Sequence, residues 1–305
     1  MEYSIVVPIF NEEGNINNFN KRLSLVMNKL KTSYEIIFVN DGSTDKSHDL
    51  LTQLWTKDKQ HVKVVNLTRN FGQHAALMAG FEIAQGAKIV TIDCDLQMPP
   101  EEIPKLIKKL AEGHDIVFGV YGQTRKDSFL RKIGSKFAKY ILSKLIPNMS
   151  DISGFRILKR HTVIELLKLK EKNKMIDGLL CWMGYDIDKV EIKHNKREVG
   201  KSKYSFFKLI AFWLDMVVSL TYLPLKIAIF GGAFMGLSGL LLASYYFIRY
   251  LIYGTTIAGF TTLTILIALF SGIQLFCIGI IGEYLGRTNK GVMNKPEFIV
   301  RGVLK

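Results

Sequence analysis

The first 120 residues alternate short apolar runs with stretches of helical periodicity. The runs, such as SIVVP, EIIFVN and AKIVTID, contain few polar positions, which is typical of parallel strands covered by helices on both faces. Strands are predicted at Tyr3–Pro8, Tyr34–Asn40, Val62–Asn66, Lys88–Asp93 and Asp115–Tyr121. Helices are predicted between them at Ile16–Leu30, Asp45–Trp55, Gly72–Ala84 and Glu101–Leu110. This alternation predicts an α/β fold with a doubly wound, mostly parallel sheet.

The pattern changes in the last third of the chain, where charged residues become rare from Ser205 to Gly286. Two apolar stretches, 225–252 and 257–281, are each longer than the roughly 20 residues that cross a bilayer. The linker between them is short, which predicts a transmembrane hairpin. Basic residues flank its outer ends, so the preceding domain and the C-terminus are expected in the cytoplasm, at the inner cell membrane. A buried hairpin in a soluble protein is the alternative.

These observations predict four regions along the chain. They are a cytoplasmic catalytic domain at 1–204, an interfacial amphipathic segment at 205–224, two transmembrane helices within 225–286 and a cytoplasmic tail at 287–305. Ser205–Leu220 is rich in aromatic residues and poor in charge, which indicates a helix in the membrane interface. An ordinary core helix is the alternative for this segment. The N-terminus shows no pattern of a cleavable signal.

The chain is basic, with a net charge of +14 over 305 residues and a pI near 9.5. Basic residues concentrate in 125–139 and 193–208, and the second cluster runs into the apolar region. This favours an anionic membrane surface or a lipid phosphate over nucleic acid, for which no recognition motif is present. The three cysteines lack metal-binding spacing and indicate reduced thiols. His74 and His194 are expected at the surface.

The strongest local indication of chemistry is Asp93-Cys94-Asp95-Leu96-Gln97, where a predicted strand ends. Ligands of open α/β sheets bind at the carboxyl ends of the strands. Mg²⁺ and Mn²⁺ prefer oxygen ligands shared between a few carboxylates and substrate phosphates. Asp93, Asp95 and Gln97 are therefore the candidate metal ligands. A bound cation would offset the charge on a departing nucleoside diphosphate.

Polar residues also follow the other predicted strands, at 11–13, 40–44 and 69–70. Several such turns on one sheet edge favour a site over simple solvated turns. Phe10 is suited to stacking on a base and Glu12 to accepting a hydrogen bond from it. The turn at 40–45 is suited either to binding a polar base or to capping the following helix.

The motifs VPIFNEE, VNDGSTD, RNFGQHAALMAG and IDCDLQMPPE, in this order, resemble those of family 2 glycosyltransferases with the GT-A fold. The later segments Asp151–Arg156 and Arg197–Lys203, followed by the two apolar stretches, resemble the polyisoprenyl-phosphate glycosyltransferases. That group includes dolichol-phosphate mannose synthases and bacterial undecaprenyl-phosphate glucosyltransferases. The resemblance covers essentially the whole chain. It implies inverting transfer of a hexose, from UDP-glucose foremost, to undecaprenyl phosphate for modification of cell-envelope glycans.

The resemblance also implies roles for individual residues. The nucleotide is expected to contact Pro8, Phe10, Glu12, Val39, Asp41, Asp93, Cys94 and Asp95. The metal, Mg²⁺ or Mn²⁺, is expected on Asp93, Asp95 and Gln97, and Arg69 and Asn70 are expected to shape the pocket floor. The donor or acceptor phosphates are expected to contact Arg125, Arg131, Arg197, Ser202 and Lys203. The expected catalytic residues are Asp95, Asp151, Arg197 and Lys203.

Two positions depart from the family pattern. Many relatives close the strand ending at Tyr121 with an arginine, and Arg125 and Arg131 are the substitutes here. Some relatives carry an acid where Gly154 stands, which leaves Asp151 as the nearest candidate base; a turn or helix cap is the equal alternative for Asp151. The acceptor phosphate is already largely ionised near neutral pH, so cations that dock it matter more than a base.

The expected partners are a nucleotide sugar, a polyisoprenyl phosphate lipid and a membrane, without nucleic acid. A homo-oligomer, with a tetramer among the options, and functional coupling to a lipid-sugar flippase are also expected. Two alternative functions stay open. A processive polysaccharide synthase would carry a Gln-x-x-Arg-Trp motif and further spans, neither of which is present. A catalytically silent membrane scaffold or flippase subunit would have no need of Asp41, Asp93 and Asp95.

Overall fold

The computed structural model describes residues 1–121, 153–169, 176–193, 223–253, 259–292 and 296–305. The strands are β1 Tyr3–Ile9, β2 Tyr34–Asn40, β3 Val62–Leu67, β4 Lys88–Thr91, β5 Ile116–Tyr121, β6 Arg156–Lys159, β7 Ile187–Ile192 and β8 Val300–Leu304. The helices are α1 Ile16–Lys29, α2 Ser47–Lys57, α3 Gln73–Ile83, α4 Ile103–Leu110, α5 Arg160–Lys168, α6 Ile176–Trp182, α7 Leu223–Tyr253 and α8 Phe260–Val292. A 3-10 turn at Pro100–Glu102 precedes α4.

The described strands form one mixed sheet in the order β7-β5-β6-β4-β1-β2-β3-β8. The central strands β4, β1, β2 and β3 are mutually parallel, and β5 is parallel to β7. Strand β6 runs antiparallel between β4 and β5, and β8 runs antiparallel along β3. The parallel strands β1 to β4 therefore end at one common edge of the sheet.

Helices cover both faces of this sheet, which explains the continuous apolar runs of the central strands. Along β1, Ile5 and Val7 pack with α1, α2 and α4, whereas Val6 packs on the opposite face with α3, α5 and α6. The approach of α3 to the sheet is close. A Cβ atom at Gly80 would lie 2.3 Å from Val6 Cγ1 and 3.1 Å from Val39 Cγ2, so only glycine permits this spacing.

The predicted elements of the first 121 residues are confirmed, with small differences at their ends. Strand β4 ends two residues before the predicted Asp93, and the helix predicted from Glu101 starts with the 3-10 turn. The sheet is mostly parallel, as predicted. Strands β6, β7 and β8 were not predicted, and two of them make the sheet mixed rather than purely parallel.

The chain divides into two compact units. The first contains residues 1–202 together with 295–305, and the second contains residues 203–294. In the second unit, α7 and α8 pack together, with the Phe270 ring 3.5 Å from the position that a Cβ of Gly239 would occupy. Among the described residues, no helix combines the length and the hydropathy needed to cross a membrane. The predicted transmembrane hairpin is therefore unsupported, and the predicted interfacial segment lies outside the described residues apart from its last two positions.

Candidate active site

A cavity of about 230 Å³ opens at the carboxyl ends of the parallel strands, where sequence analysis places the site. Its lining comes from the segments that follow β1, β2, β3 and β4. The lining residues are Pro8, Ile9, Phe10, Glu12, Asp41, Asn70, Gly72, Gln73, Ala76, Asp93, Cys94 and Asp95. Four carboxylates thus share one cavity, which is the arrangement expected of a cation or polar-ligand site.

The turn after β1 is held by the turn after β2. Asn11 adopts a positive φ of 56° and its N–H donates to Ser43 Oγ at 3.1 Å. Its side-chain Oδ1 accepts from the Thr44 N–H at 2.8 Å. The Glu12 N–H donates to Ser47 Oγ at 3.0 Å. These bonds fix Glu12 beside Phe10, which is 37% exposed at the cavity.

Asp41 connects the second turn to the third. Its two carboxylate oxygens accept from the backbone N–H groups of Phe71, at 2.7 Å, and Gly72, at 2.9 Å. Burial raises the pKa of Asp41, and these two hydrogen bonds oppose the rise. The side chain is 3% exposed. Asp41 therefore shapes the cavity through the 71–72 backbone as well as lining it.

The turn after β4 carries the acidic pair predicted to hold a metal. Leu96 has a positive φ of 58°, which is strained for a leucine, while its side chain is fully buried in the core. This sharp turn lets both Asp93 and Asp95 face the cavity. The Gln97 N–H donates to Asp95 Oδ1 at 3.1 Å.

Asp93 has the most perturbed carboxyl group of the cavity. Burial raises its pKa to about 6, and the negative charges of Asp95 and Glu12 add to the rise. The Arg156 charge and a 2.7 Å hydrogen bond from Gln73 Nε2 oppose it. Burial also raises the pKa of the neighbouring Cys94 thiol. A divalent cation would relieve the repulsion between the two carboxylates.

The structure places two of the three predicted metal ligands at one cavity. Asp93 and Asp95 line the same cavity, but Gln97 is not among its lining residues. Within the residues that the structure describes, no three His, Cys, Asp or Glu side chains are grouped closely enough to hold a metal ion. The two carboxylates therefore fit a cation that takes its remaining oxygen ligands from a substrate phosphate and water.

Arg156, at the start of β6, is 1% exposed, and its charge acts on Asp93. Its guanidinium forms an ion pair with Asp177 of α6, and its Nε–H donates to Thr91 Oγ1 at 3.1 Å. The Thr91 hydroxyl in turn donates to the Gly154 carbonyl at 2.6 Å. This network joins β4, β6 and α6 directly below Asp93.

His74, expected at the surface, is instead set into this region. Its Nδ1 is buried without a hydrogen-bond partner among the described residues. Burial lowers the pKa of His74 to about 4, and the Arg156 charge contributes. The imidazole is therefore neutral at physiological pH. The surface expectation misses this burial because His74 occupies the first turn of α3, whose next seven residues, 75–81, are all buried.

A pH-dependent loss of stability is expected from His74. The unfolded histidine binds a proton near pH 6.5 but the folded one only near pH 4. The free energy of unfolding should therefore fall as the pH drops from 6.5 to 4, by about 3 kcal/mol at most. Unfolding midpoints measured across this range should fall more steeply for the native chain than for His74→Gln. Parallel curves for the two proteins would contradict the assignment.

Sequence analysis found most of the cavity but not all of it. Pro8, Phe10, Glu12, Asp41, Asp93, Cys94 and Asp95 line it as expected, as does Asn70. Val39 is fully buried in the core on the α3 face, below the cavity. Gln73 and Arg156 were missed as site residues, although both stood in quoted motifs. Arg125, Arg131, Asp151, Arg197, Ser202 and Lys203 lie outside the described residues.

The fold and the cavity define an α/β enzyme with an acidic ligand site at the carboxyl edge of its sheet. A family model described as glycosyl transferase family 2 matches residues 4–172. The chain belongs to glycosyl transferase family 2, and it is a glycosyltransferase.

The similarity to known proteins covers almost the entire chain. An uncharacterized glycosyltransferase of Bacillus subtilis, YkcC, is 37% identical over 303 residues, which cover 99% of this chain and 94% of that protein. The undecaprenyl-phosphate 4-deoxy-4-formamido-L-arabinose transferase of Photorhabdus laumondii is 37% identical over 305 residues, again 99% of this chain and 94% of the relative.

A similar solved structure is glucosyl-3-phosphoglycerate synthase of Mycobacterium tuberculosis, in complex with Mn²⁺, UDP and phosphoglyceric acid. The identity is 21% and the TM-score 0.53, over 72% of this chain and 77% of that chain. This similarity supports the GT-A-like mixed α/β fold and nothing finer.

Proposed function

We propose that this glycosyltransferase moves a sugar from a nucleoside diphosphate onto a polyisoprenyl phosphate, with undecaprenyl phosphate as the acceptor. The observation that carries the proposal is the pair Asp93 and Asp95 facing one cavity at the carboxyl edge of the sheet. The acceptor is supported by full-length relatives, which are named as undecaprenyl-phosphate transferases.

The donor diphosphate is proposed to bind at this acidic pair through Mg²⁺ or Mn²⁺. Bound there, the cation would neutralise charge on the departing nucleoside diphosphate. Asp93 and Asp95 would hold it, with Gln97 as the third predicted ligand. The raised pKa of Asp93, caused by burial and by the Asp95 charge, supports the pairing because a group so placed gains from a nearby cation.

The nucleoside is proposed to lie against the turn after β1. Phe10 offers a partly exposed aromatic ring and Glu12 an acceptor, both on the cavity wall. Pro8 and Asp41 complete this side of the cavity, and Asp41 also holds the 71–72 backbone in place. Stacking on an aromatic side chain contributes roughly 1–3 kcal/mol per base in other nucleotide sites.

The acceptor phosphate is proposed as the nucleophile. A phosphate monoester has a second pKa near 6 and is largely ionised at neutral pH. It attacks the anomeric carbon in line, the bond to the diphosphate oxygen breaks, and the configuration inverts. Arg125, Arg131, Arg197, Ser202 and Lys203 are the predicted phosphate contacts, and Asp151 is the predicted base; all lie outside the described residues.

Two sugars are the leading candidates for transfer. UDP-glucose is the donor predicted from the sequence, whereas relatives at 35–37% identity are named for 4-deoxy-4-formamido-L-arabinose. The two sugars differ at C4, which carries a hydroxyl or a formamido group, and at C5, where the pentose lacks the hydroxymethyl group. A pocket distinguishes such groups by hydrogen bonds that it makes or leaves unmade.

Membrane attachment through α7 and α8 is part of the proposal. Both helices expose large apolar side chains, among them Phe230 at 72%, Phe234 at 71% and Leu275 at 69%. Apolar surface of this extent marks a site covered by lipid or protein. We further propose the cytoplasmic membrane as the location, with homo-oligomerisation and coupling to a lipid-sugar flippase as the predicted associations.

The test is incubation of purified protein and undecaprenyl phosphate with nucleotide sugars, reading the lipid product by mass. The panel contains UDP-glucose, UDP-N-acetylglucosamine, UDP-galactose, GDP-mannose and a nucleotide-linked 4-deoxy-4-formamido-L-arabinose. The expected product is a polyprenyl monophosphate sugar from one donor, dependent on Mg²⁺ or Mn²⁺. A silent scaffold would release no nucleoside diphosphate from any donor, and a polysaccharide synthase would extend a glycan chain instead.

A further inference from the structure

A second cavity, of about 270 Å³, opens at the carboxyl ends of β2 and β3 beside the C-terminal strand β8. Its polar lining consists of Asn40, Ser43, His48, Asn66, Thr68 and Arg301. Among the described residues that line it there is no carboxylate, whereas the active-site cavity is lined by four acids and no lysine or arginine. The two cavities therefore have opposite electrostatic character.

Buried amides form the floor of this second cavity in a fixed arrangement. Asn66 Oδ1 accepts from Asn40 Nδ2 at 3.1 Å, and His48 Nδ1 lies 3.0 Å from the same oxygen. Asn40 Oδ1 accepts from the Ser43 N–H at 3.0 Å. Since the Asn66 oxygen has no proton to give, His48 Nδ1 is the donor.

Arg301 is directed to this cavity by an irregularity in the β3–β8 pairing. Asn66 pairs with Gly302 and Leu67 pairs with Val300, so Arg301 is the extra residue of a bulge. The Thr68 N–H donates to the Ile299 carbonyl at 3.0 Å and fixes the start of the strand. Bulges of this kind redirect a side chain and are frequent beside functional sites.

We propose that the second cavity binds a phosphate group, free or esterified, with Arg301 as the charged contact and His48 as a polar contact. A guanidinium matches phosphate oxygens through two parallel hydrogen bonds, and these charge-assisted bonds are the strongest available to a surface site. The Ser43 and Thr68 hydroxyls are further donors at the same cavity. The proposal stands independently of the sugar-transfer reaction.

The turn after β2 contributes residues to both cavities, so a phosphate bound in the second cavity would affect the active-site cavity. Asn40 and Ser43 belong to the cavity proposed for phosphate, while Asp41 between them accepts hydrogen bonds from the Phe71 and Gly72 backbone in the active-site cavity. A phosphate held by His48 and Arg301 would therefore restrain the same turn that carries Asp41.

The test measures phosphate affinity of the full-length protein in detergent, by calorimetry, with chelator present and ionic strength kept constant with chloride. Without a metal, the acidic active-site cavity repels phosphate. Binding that is lost when the second cavity is altered, and kept in the control variant, reports the second cavity. Arg301→Gln and His48→Gln should each weaken binding by about tenfold or more. Lys305→Gln is the matched control, because it removes one positive charge at the end of the same strand outside the cavity.

Measurements with two different ligands distinguish a free phosphate from a lipid headgroup. Inorganic phosphate represents the free anion, and glycerophosphoglycerol represents a lipid headgroup without acyl chains that could bind the apolar helices. Binding of either ligand, lost in Arg301→Gln and kept in Lys305→Gln, supports the site. No binding of either, or equal weakening by both variants, overturns it. Unfolding midpoints without phosphate verify that each variant is folded. Arg301→Lys keeps the positive charge but cannot form two parallel hydrogen bonds to phosphate, so it should bind with intermediate affinity.

Discussion

Replacing Asp95 by alanine should abolish sugar transfer, with a fall in kcat of roughly a thousandfold or more. Asp95 and Asp93 line the same cavity at the carboxyl edge of the sheet, where the donor diphosphate is proposed to bind. Without this carboxylate the cation would keep only one charged protein ligand, Asp93. It would then bind weakly and no longer neutralise the departing diphosphate. The measurement is release of nucleoside diphosphate and formation of lipid-linked sugar across a range of Mn²⁺ concentrations.

The matched control for this substitution is Asp186→Ala. The Asp186 side chain is 64% exposed, and among the described residues it pairs only with His114. Its loss should therefore leave transfer unchanged. Asp95→Asn keeps the shape but not the charge and should be nearly as inactive as the alanine variant. Full activity of Asp95→Ala in the presence of a chelator would refute the metal role.

Replacing Asp177 by alanine should destabilise the catalytic unit by about 3–5 kcal/mol. The change removes the ion-pair partner of Arg156, which is 1% exposed and cannot reach water. The remaining bond to Thr91 and the nearby Asp93 charge do not replace a carboxylate in direct contact. The measurement is the denaturant midpoint of the purified protein, followed by near-ultraviolet circular dichroism or fluorescence.

A double variant separates the buried charge from simple loss of packing. Arg156→Met combined with Asp177→Ala should recover much of the lost stability, because no unpaired charge is left in the core. Glu165→Ala is the surface control: Glu165 pairs with Lys168 and is 47% exposed, so its removal should produce little change. A double variant no more stable than Asp177→Ala would contradict the electrostatic explanation.

The parallel part of the fold was readable from the sequence because its signals are local. Strands such as β2 are continuous apolar runs, and a helix follows each one within a few residues. Strands β6 and β8 carry no such signal. RILK and VRGVL are short, contain charged residues and form only by pairing antiparallel with β4 and β3, far away in the chain. Non-local pairing of this kind leaves no periodicity to detect.

The site residues that could be predicted are those that follow the parallel strands directly. Residues directly after a parallel strand, such as Phe10 and Asp95, reach the cavity because the strands end together. Val39 lies inside the strand instead, where alternation turns its side chain to the α3 face. Gln73 bonds to Asp93 from α3, and the Arg156 charge acts on Asp93 from β6. Both residues stand in the quoted motifs, but neither follows a parallel strand, so the strand-end rule does not select them.

Residues 300–304 form the outer strand of the catalytic sheet, β8. Because 300–304 return to hydrogen-bond with β3, the region 203–294 is inserted into the first unit rather than appended to it. Clipping those last residues would strip the sheet of its outer strand and leave the backbone of β3 open to pairing with other molecules.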